Sequence, residues 1–239
     1  AACLRSRLTL LPPSTAPGVL DELAERYPSQ YACTDEGIAA FLADRTFDSV
    51  SALPEDWRIP ADRIVALTFT SGSTGMPQAH PKLWGTLVRN AQLACEEILG
   101  GRGSNLVATV PAQHVYGLET SLISALVAEC PVYDGKPFFP QDVHDALSAV
   151  PAPRTLVTTP THLKALLEAR VQLPTLNRIV SATAPLPAEV AERCERAWST
   201  QVHEIYGCTE AGVMARRRTT NGPLWETFTG GEVVQTEHG

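Results

Sequence analysis

Ile64 to Lys82 reads IVALTFTSGSTGMPQAHPK, an apolar run that breaks abruptly into a loop of hydroxyls and glycines. Ile64, Val65, Ala66, Leu67, Thr68 and Phe69 make a short β-rich run bounded by turn residues, which predicts a buried strand. Thr70, Ser71, Ser73 and Thr74 then place four hydroxyls beside Gly72 and Gly75. Glycines let the backbone turn tightly and aim several N–H groups at one anion, so the loop is predicted to cradle a polyphosphate. Ser, Thr and Gly also fill strand-to-helix turns for conformational reasons alone, a reading that needs no ligand. The P-loop NTPase motif requires Lys directly after its second Gly, followed by Ser or Thr. Met76 and Pro77 follow Gly75 here, which excludes that motif.

Upstream of the loop, Leu8 to Leu11 predicts a short strand. Val19, Leu20, Leu23 and Ala24 give helical spacing over Gly18 to Tyr27. Tyr31 to Thr34 reads as a strand, Gly37 to Asp44 as a short helix, and Phe47 to Pro60 as a loop. Downstream, Leu83, Trp84, Leu87, Val88, Ala91, Ala94, Cys95, Ile98 and Leu99 recur at three- and four-residue steps, an amphipathic helix that Gly100 and Gly101 terminate. Strands then alternate with helices: strand Leu106–Val110, helix Leu118–Ala128, strand Val132–Tyr133, helix Gln141–Val150, strand Thr155–Thr159, helix Thr161–Val171, strand Arg178–Ser181, helix Pro187–Trp198 and strand Val202–Ile205. This alternation predicts an α/β fold with parallel or mixed sheet layers flanked by helices, and it puts ligands at the carboxyl ends of the strands. Beyond Val213 the pattern shifts to short antiparallel strands around a Gly222–Pro223 turn. The basic run Arg216, Arg217 and Arg218 reads there as a solvated strand face or an edge guard.

The 239 residues suffice for a full core, and 44% apolar against 19% charged residues exclude a disordered chain despite the net charge of −7. No basic field exists to neutralise nucleic-acid phosphates, whereas ATP is held locally and is not excluded. No run approaches the ~18 apolar residues of a membrane span, and the opening residues lack a signal-peptide centre. We therefore expect a cytoplasmic protein with no membrane span. The six cysteines show neither CxxC pairing nor zinc-type spacing with His, so reduced thiols are expected. The chain starts without Met and ends at EVVQTEHG without a helix or cap, and both features suggest a fragment.

Three further strand ends carry unusual residues: PAQHVYG from Pro111 to Gly117, SATAPL from Ser181 to Leu186, and YGCTEAG from Tyr206 to Gly212. Together with TSGSTGMPQ, and in this order, they resemble the signatures of the adenylate-forming superfamily: acyl-CoA synthetases, peptide-synthetase adenylation domains and luciferases. PAQHVYGLE is also similar to an acyl- or aryl-CoA ligase subgroup found with aryl polyene pigment genes. The resemblance covers roughly Arg63 to Gly212, and it implies the large N-terminal core of an adenylate-forming enzyme over 1–212. A short β segment at 213–239 follows, and the small C-terminal domain with its lysine is absent.

By the same resemblance, Thr70, Ser71, Gly72, Ser73, Thr74 and Gly75 hold the ATP phosphates. Ser181, Ala182, Thr183, Ala184, Pro185, Tyr206 and Gly207 form the adenine site, with the Tyr206 ring stacked on the base. His114, Tyr116 and Gly117 border the acid substrate. Thr209 reaches the α-phosphate or the carboxylate, and Glu210 helps hold Mg²⁺, a hard ion that takes one or two carboxylates plus phosphate oxygens. The implied reaction activates a small-molecule carboxylic acid as acyl-AMP, and transfer follows to coenzyme A or to the phosphopantetheinyl arm of an acyl carrier protein. The sequence departs from the family pattern at two points. Gln78 replaces the usual Lys, which either weakens phosphate binding or passes the charge to Lys82 or Mg²⁺, and Thr183 replaces a Gly. Two other classes stay open: a non-enzymatic nucleotide-binding remnant, which pyrophosphate exchange separates, and a phosphotransferase, which releases ADP instead of AMP.

Overall fold

The computed structural model of the protein describes residues 9–12, 17–28, 58–70 and 78–232, and these build two sheets. The larger has the order β4 (Asn105–Ala108), β5 (Arg154–Thr158), β6 (Arg178–Ser181), β7 (Gln201–Cys208), β8 (Gly212–Arg218) and β9 (Glu226–Thr227). β4 to β7 run parallel, as the alternation with helices requires, and β8 and β9 add antiparallel. The smaller sheet joins β1 (Thr9–Leu11), β2 (Ile64–Thr70) and β3 (Gln78–Leu83), with β1–β2 parallel and β2–β3 antiparallel.

Side chains of a strand alternate between faces, so a sheet covered on both sides reads as a continuous apolar run. The parallel strands follow this rule. Val107, Leu156, Ile179 and Val202 enter one core with α4 (Pro140–Ala149), α5 (Pro160–Glu168) and α6 (Ala188–Trp198). Leu106, Val157, Val180 and Ile205 enter another, with α2 (Trp84–Glu97). α2 buries Leu87, Ala91, Ala94 and Cys95, the stripe that its three- and four-residue spacing predicts. α5 starts on Thr159, whose hydroxyl accepts from His162 N–H, with Pro160 in the first turn. α1 spans Pro17–Arg26. Among the described residues no helix is long and apolar enough to cross a membrane.

The structure corrects several expectations. Residues 78–82, read as following the loop without a strand, and Leu83, read as the start of the next helix, form β3. Pro81 does not prevent this, because β3 pairs only with β2 and a proline is tolerated on an edge strand. Val132–Tyr133 makes a single parallel bridge from Val132 to Leu106 rather than a strand. The helix expected from Leu118 starts earlier: α3 comprises Val115–Gly117, a π-helical stretch Leu118–Ile123 and Ser124–Val127. Its hydroxyls bond back to main-chain carbonyls, Ser124 to Glu119 at 2.7 Å and Ser121 to Gly117 at 2.5 Å. The basic run is neither a solvated face nor an edge guard, because each arginine of β8 meets a carboxylate. Arg216 pairs with Glu97 at 3.0 Å, Arg217 with Glu204 at 2.7 Å and Arg218 with Glu195 at 2.8 Å. The strand and helix expected at Tyr31–Thr34 and Gly37–Asp44 lie outside the described residues. The 213–239 segment supplies most of β8 and all of β9, both in the sheet that holds β7.

Candidate functional site

The β2–β3 hairpin brings Thr70 into register with Gln78 at one end of the small sheet. Ser71, Gly72, Ser73, Thr74 and Gly75 lie outside the described residues. At the base of that loop, Thr70 Oγ1 is 3.0 Å from His80 Nε2, and His80 Nε2 is 3.6 Å from Glu210 Oε1. His80 and Lys82 are two apart and therefore share one face of β3. Both reach the β7–β8 turn, where Lys82 Nζ donates to the Thr209 carbonyl. The hairpin that carries the hydroxyl loop and the Thr209–Glu210 turn are thus joined although they are far apart in the chain.

Beside this junction opens a cleft of about 390 Å³. His114, Tyr116, Ala182, Thr183, Gly207, Cys208 and Thr209 line it, together with residues of α3, β7 and β8. It lies at the carboxyl ends of the strands, where the α/β topology directs ligands. His114 is the N-cap residue of α3 and is exposed. Tyr116 is fixed by its hydroxyl, which donates to the carbonyls of Thr158 at 3.2 Å and Val180 at 3.0 Å; burial pushes its pKa far above the usual phenol range. Gly117 is buried away from the cleft. A Cβ there would stand 2.2 Å from the Pro111 carbonyl oxygen, so glycine is what allows the 111–117 turn to close.

The SATAPL segment divides at the strand end. Ser181 is fully buried, its hydroxyl has no partner among the described residues, and Ala182 and Thr183 face the cleft. Thr183 holds φ +77°, a strained value for a β-branched residue, and Ala184 and Pro185 are exposed. Buried Glu204 anchors the end of the segment by accepting from Leu186 N–H at 2.8 Å while it pairs with Arg217 and Thr219. Tyr206 stands outside the cleft, 56% exposed, with its ring 5.6 Å from Trp225; Arg217 lies 4.3 Å over the Trp225 ring. The tyrosine therefore offers an open aromatic face.

Beneath the turn lies a buried polar group that includes Glu119, 1% exposed. Glu119 accepts from Asn90 at 3.1 Å and from Val213 N–H at 3.3 Å. Burial raises the Glu119 carboxyl above the usual carboxylate range, against the pull of Asn90 and Lys82. Burial likewise lowers the Lys82 ammonium, against Glu119, Cys208 and Glu210. The exposed Glu210 differs: its own backbone N–H and the Cys208 thiol hold its carboxyl low, helped by His80 and Lys82. A lone ionised carboxylate suits an ion that arrives with phosphate oxygens, which is how Mg²⁺ binds. No cluster of three metal-ligating side chains occurs among the described residues.

Sequence reasoning missed His80, Glu119 and Glu204. A signal existed for two of them. His80 and Lys82 stand two apart directly after the loop, and Glu119 is the single acid in the apolar run VYGLETSLISALVA, where a buried charge demands partners.

The family model described as AMP-binding enzyme matches residues 11–234. A 4-coumarate–CoA ligase of Rhodobacter capsulatus is 30% identical over 159 residues, which span 62% of this chain and 38% of that protein. Its counterpart from Halorhodospira halophila is 30% identical over 63% of this chain and 37% of its own length. The chain thus spans less than two fifths of the length of these curated relatives. Among solved structures, the anthranilate CoA ligase AuaEII in complex with anthranoyl-AMP is 25% identical with a TM-score of 0.59, over 66% of this chain and 32% of that one. E. coli MenE, with a bound analogue of OSB-AMS, has a TM-score of 0.62 at 22% identity, over 74% of this chain and 38% of its own. With a family model matched over nearly its whole length and three strand-end motifs meeting at one cleft, the chain belongs to the AMP-binding enzyme family.

Proposed function

We propose that this chain forms the nucleotide- and acid-binding core of an enzyme that activates a carboxylic acid with ATP, giving acyl-AMP and pyrophosphate, and passes the acyl group to coenzyme A or a carrier thiol. The observation that carries the reading is the junction of the phosphate-loop hairpin with the Thr209–Glu210 turn beside a cleft bordered by His114 and Thr183. The carboxylate oxygen attacks the α-phosphorus in line. The new bond is C–O–P, and the bond that breaks joins the α-phosphorus to the pyrophosphate oxygen. A carboxylate is a weak nucleophile toward an anionic phosphate, so positioning and fixed charge must do most of the work.

In this scheme the hairpin loop holds the β- and γ-phosphates, Tyr206 stacks on the base, and SATAP borders it. Thr209 donates to the α-phosphate, and His114 orients the acid at the mouth of the cleft. Glu210 would hold Mg²⁺, which would supply charge neutralisation on the phosphates. Gln78 is exposed and uncharged, so the cations on this hairpin are His80, when protonated, and Lys82. Lys82 is committed to the Thr209 carbonyl, which leaves Mg²⁺ as the better candidate for direct phosphate charge. The ligase names of the relatives favour coenzyme A as acceptor. A panel of carboxylic acids in ATP–pyrophosphate exchange with the full-length protein tests the reading. Exchange with at least one acid and release of AMP are expected; ADP release, or no exchange across the panel, overturns it.

A further inference from the structure

Lys82 is 5% exposed, and its ammonium is directed at a backbone carbonyl, that of Thr209. A buried cation is costly unless other groups compensate, and Glu119 is the buried carboxylate that faces it, with Glu210 and Cys208 contributing from the turn. Lys82 and Glu119 grip opposite ends of one turn. Lys82 takes the carbonyl of Thr209 at its start, and Glu119 takes the N–H of Val213 at its finish. Asn90 of α2 braces Glu119 from the side. Lys82 also belongs to β3, which pairs with β2, so its position is tied to that hairpin.

We propose that Lys82 is a positioning residue: by holding the Thr209 carbonyl it registers the Thr209–Glu210 turn against the β2–β3 hairpin, so that the Thr209 hydroxyl is held where it acts on the nucleotide. The inference rests on the site reading under Proposed function. Lys82 makes no contribution through its charge to phosphate. Its effect is the placement of a hydroxyl needed at the transition state, where a displacement of an ångström costs about 100-fold in rate. Nucleotide affinity, set mainly by the loop and the stacked base, depends on it far less.

The test compares wild type, Lys82→Met and Lys82→Arg in the full-length protein by three measurements: pyrophosphate-exchange kcat, ATP dissociation constant by calorimetry, and thermal midpoint. Met keeps the length and loses the donor, whereas Arg keeps a donor. Lys82→Met is expected to lose about 30- to 100-fold in kcat with ATP affinity within about threefold, and Lys82→Arg to restore most of the rate. Unchanged kcat in Lys82→Met, or equal loss of ATP affinity and kcat, overturns the proposal. Failure of both variants to fold assigns Lys82 to stability alone and overturns it too. If Met fails to fold and Arg folds, Arg with most of its rate supports the proposal and Arg without it refutes it. A wild type that shows no exchange sinks the parent reading, while an active wild type with an indifferent Lys82 sinks only this inference.

Discussion

Gly212→Ala probes the support of the β7–β8 turn without touching any group assigned to substrate. Gly212 holds φ +79°, and a Cβ there would stand 2.6 Å from both Asn90 Nδ2 and Glu119 Oε1, and 3.0 Å from Glu119 Oε2. Two costs follow. The left-handed backbone penalises an L side chain by about 1–2 kcal/mol. Displacing the buried carboxylate from Asn90 breaks a charge-assisted hydrogen bond worth about 1.5–3 kcal/mol, so the total is about 2.5–5 kcal/mol. Gly103 is the internal control, with φ +78° and nothing within 4 Å of its hypothetical Cβ. Gly103→Ala should cost only the backbone part, about 1–2 kcal/mol. Urea unfolding of the two variants at one pH measures the difference directly. If Gly212→Ala costs no more than Gly103→Ala, the packed carboxylate beneath the turn is not an energetic element and the account of that support fails.

Glu210→Ala should lower Mg²⁺-dependent pyrophosphate exchange by about 100-fold or more, since losing even an outer-shell partner of a metal costs about 10- to 100-fold. Cys208→Ser should change the same assay little, and normal exchange by Glu210→Ala would remove the metal assignment. Tyr206→Ala should raise the ATP dissociation constant about 5- to 160-fold if the exposed ring stacks on the base, a loss of about 1–3 kcal/mol per base; affinity unchanged in calorimetry would move adenine elsewhere. His203 supplies a pH signature. Burial first, then Arg178, Arg218 and Arg216, push its pKa down to about 4, so the fold holds it neutral while the unfolded chain takes up a proton near pH 6.5. Its contribution is complete above pH 6.5 and is lost as pH falls toward 4, about 1–2 kcal/mol between pH 7 and pH 5 once solvent screening is included. Urea unfolding at both values should show a smaller pH loss in His203→Gln, and an equal loss in the variant refutes the assignment.

The parallel strands were legible because each is a short apolar run buried on both faces, as Leu106–Val107, Leu156–Val157 and Ile179–Val180 show by feeding opposite cores. β3 was not, because Gln78, His80, Pro81 and Lys82 carry no strand propensity. Their pairing comes from the tertiary register with β2 and from an edge position that accepts proline. The π-helical stretch of α3 was hidden for a related reason: the hydrophobic pattern of LETSLI suits any helix, and the wider turn is set by buried hydroxyls that bond to carbonyls behind them. Arg216 to Arg218 looked like surface because charge alone says nothing about partners, and their three glutamates come from α2, α6 and β7.

The same distinction explains the site. Hydroxyls, small residues and an aromatic at strand ends announce chemistry because those residue types are poor choices for packing there, and His114, Thr183 and Thr209 accordingly share a cleft. What no strand end announces is which backbone atom a distant side chain will hold. Lys82 and Thr209 are 127 positions apart, and Glu119 and Val213 are 94 apart. Such contacts place the turn, while Arg217 and Arg218 brace the strands that lead into and out of it. A turn gripped at both ends by buried polar groups and stiffened along its flanks holds its hydroxyl and carboxylate before substrate arrives, which is the condition under which fixed dipoles act at a transition state without reorganising. If Thr209 acts as proposed, residues that touch no ligand would also bear on the rate, and following each buried polar atom to its partner is what finds them.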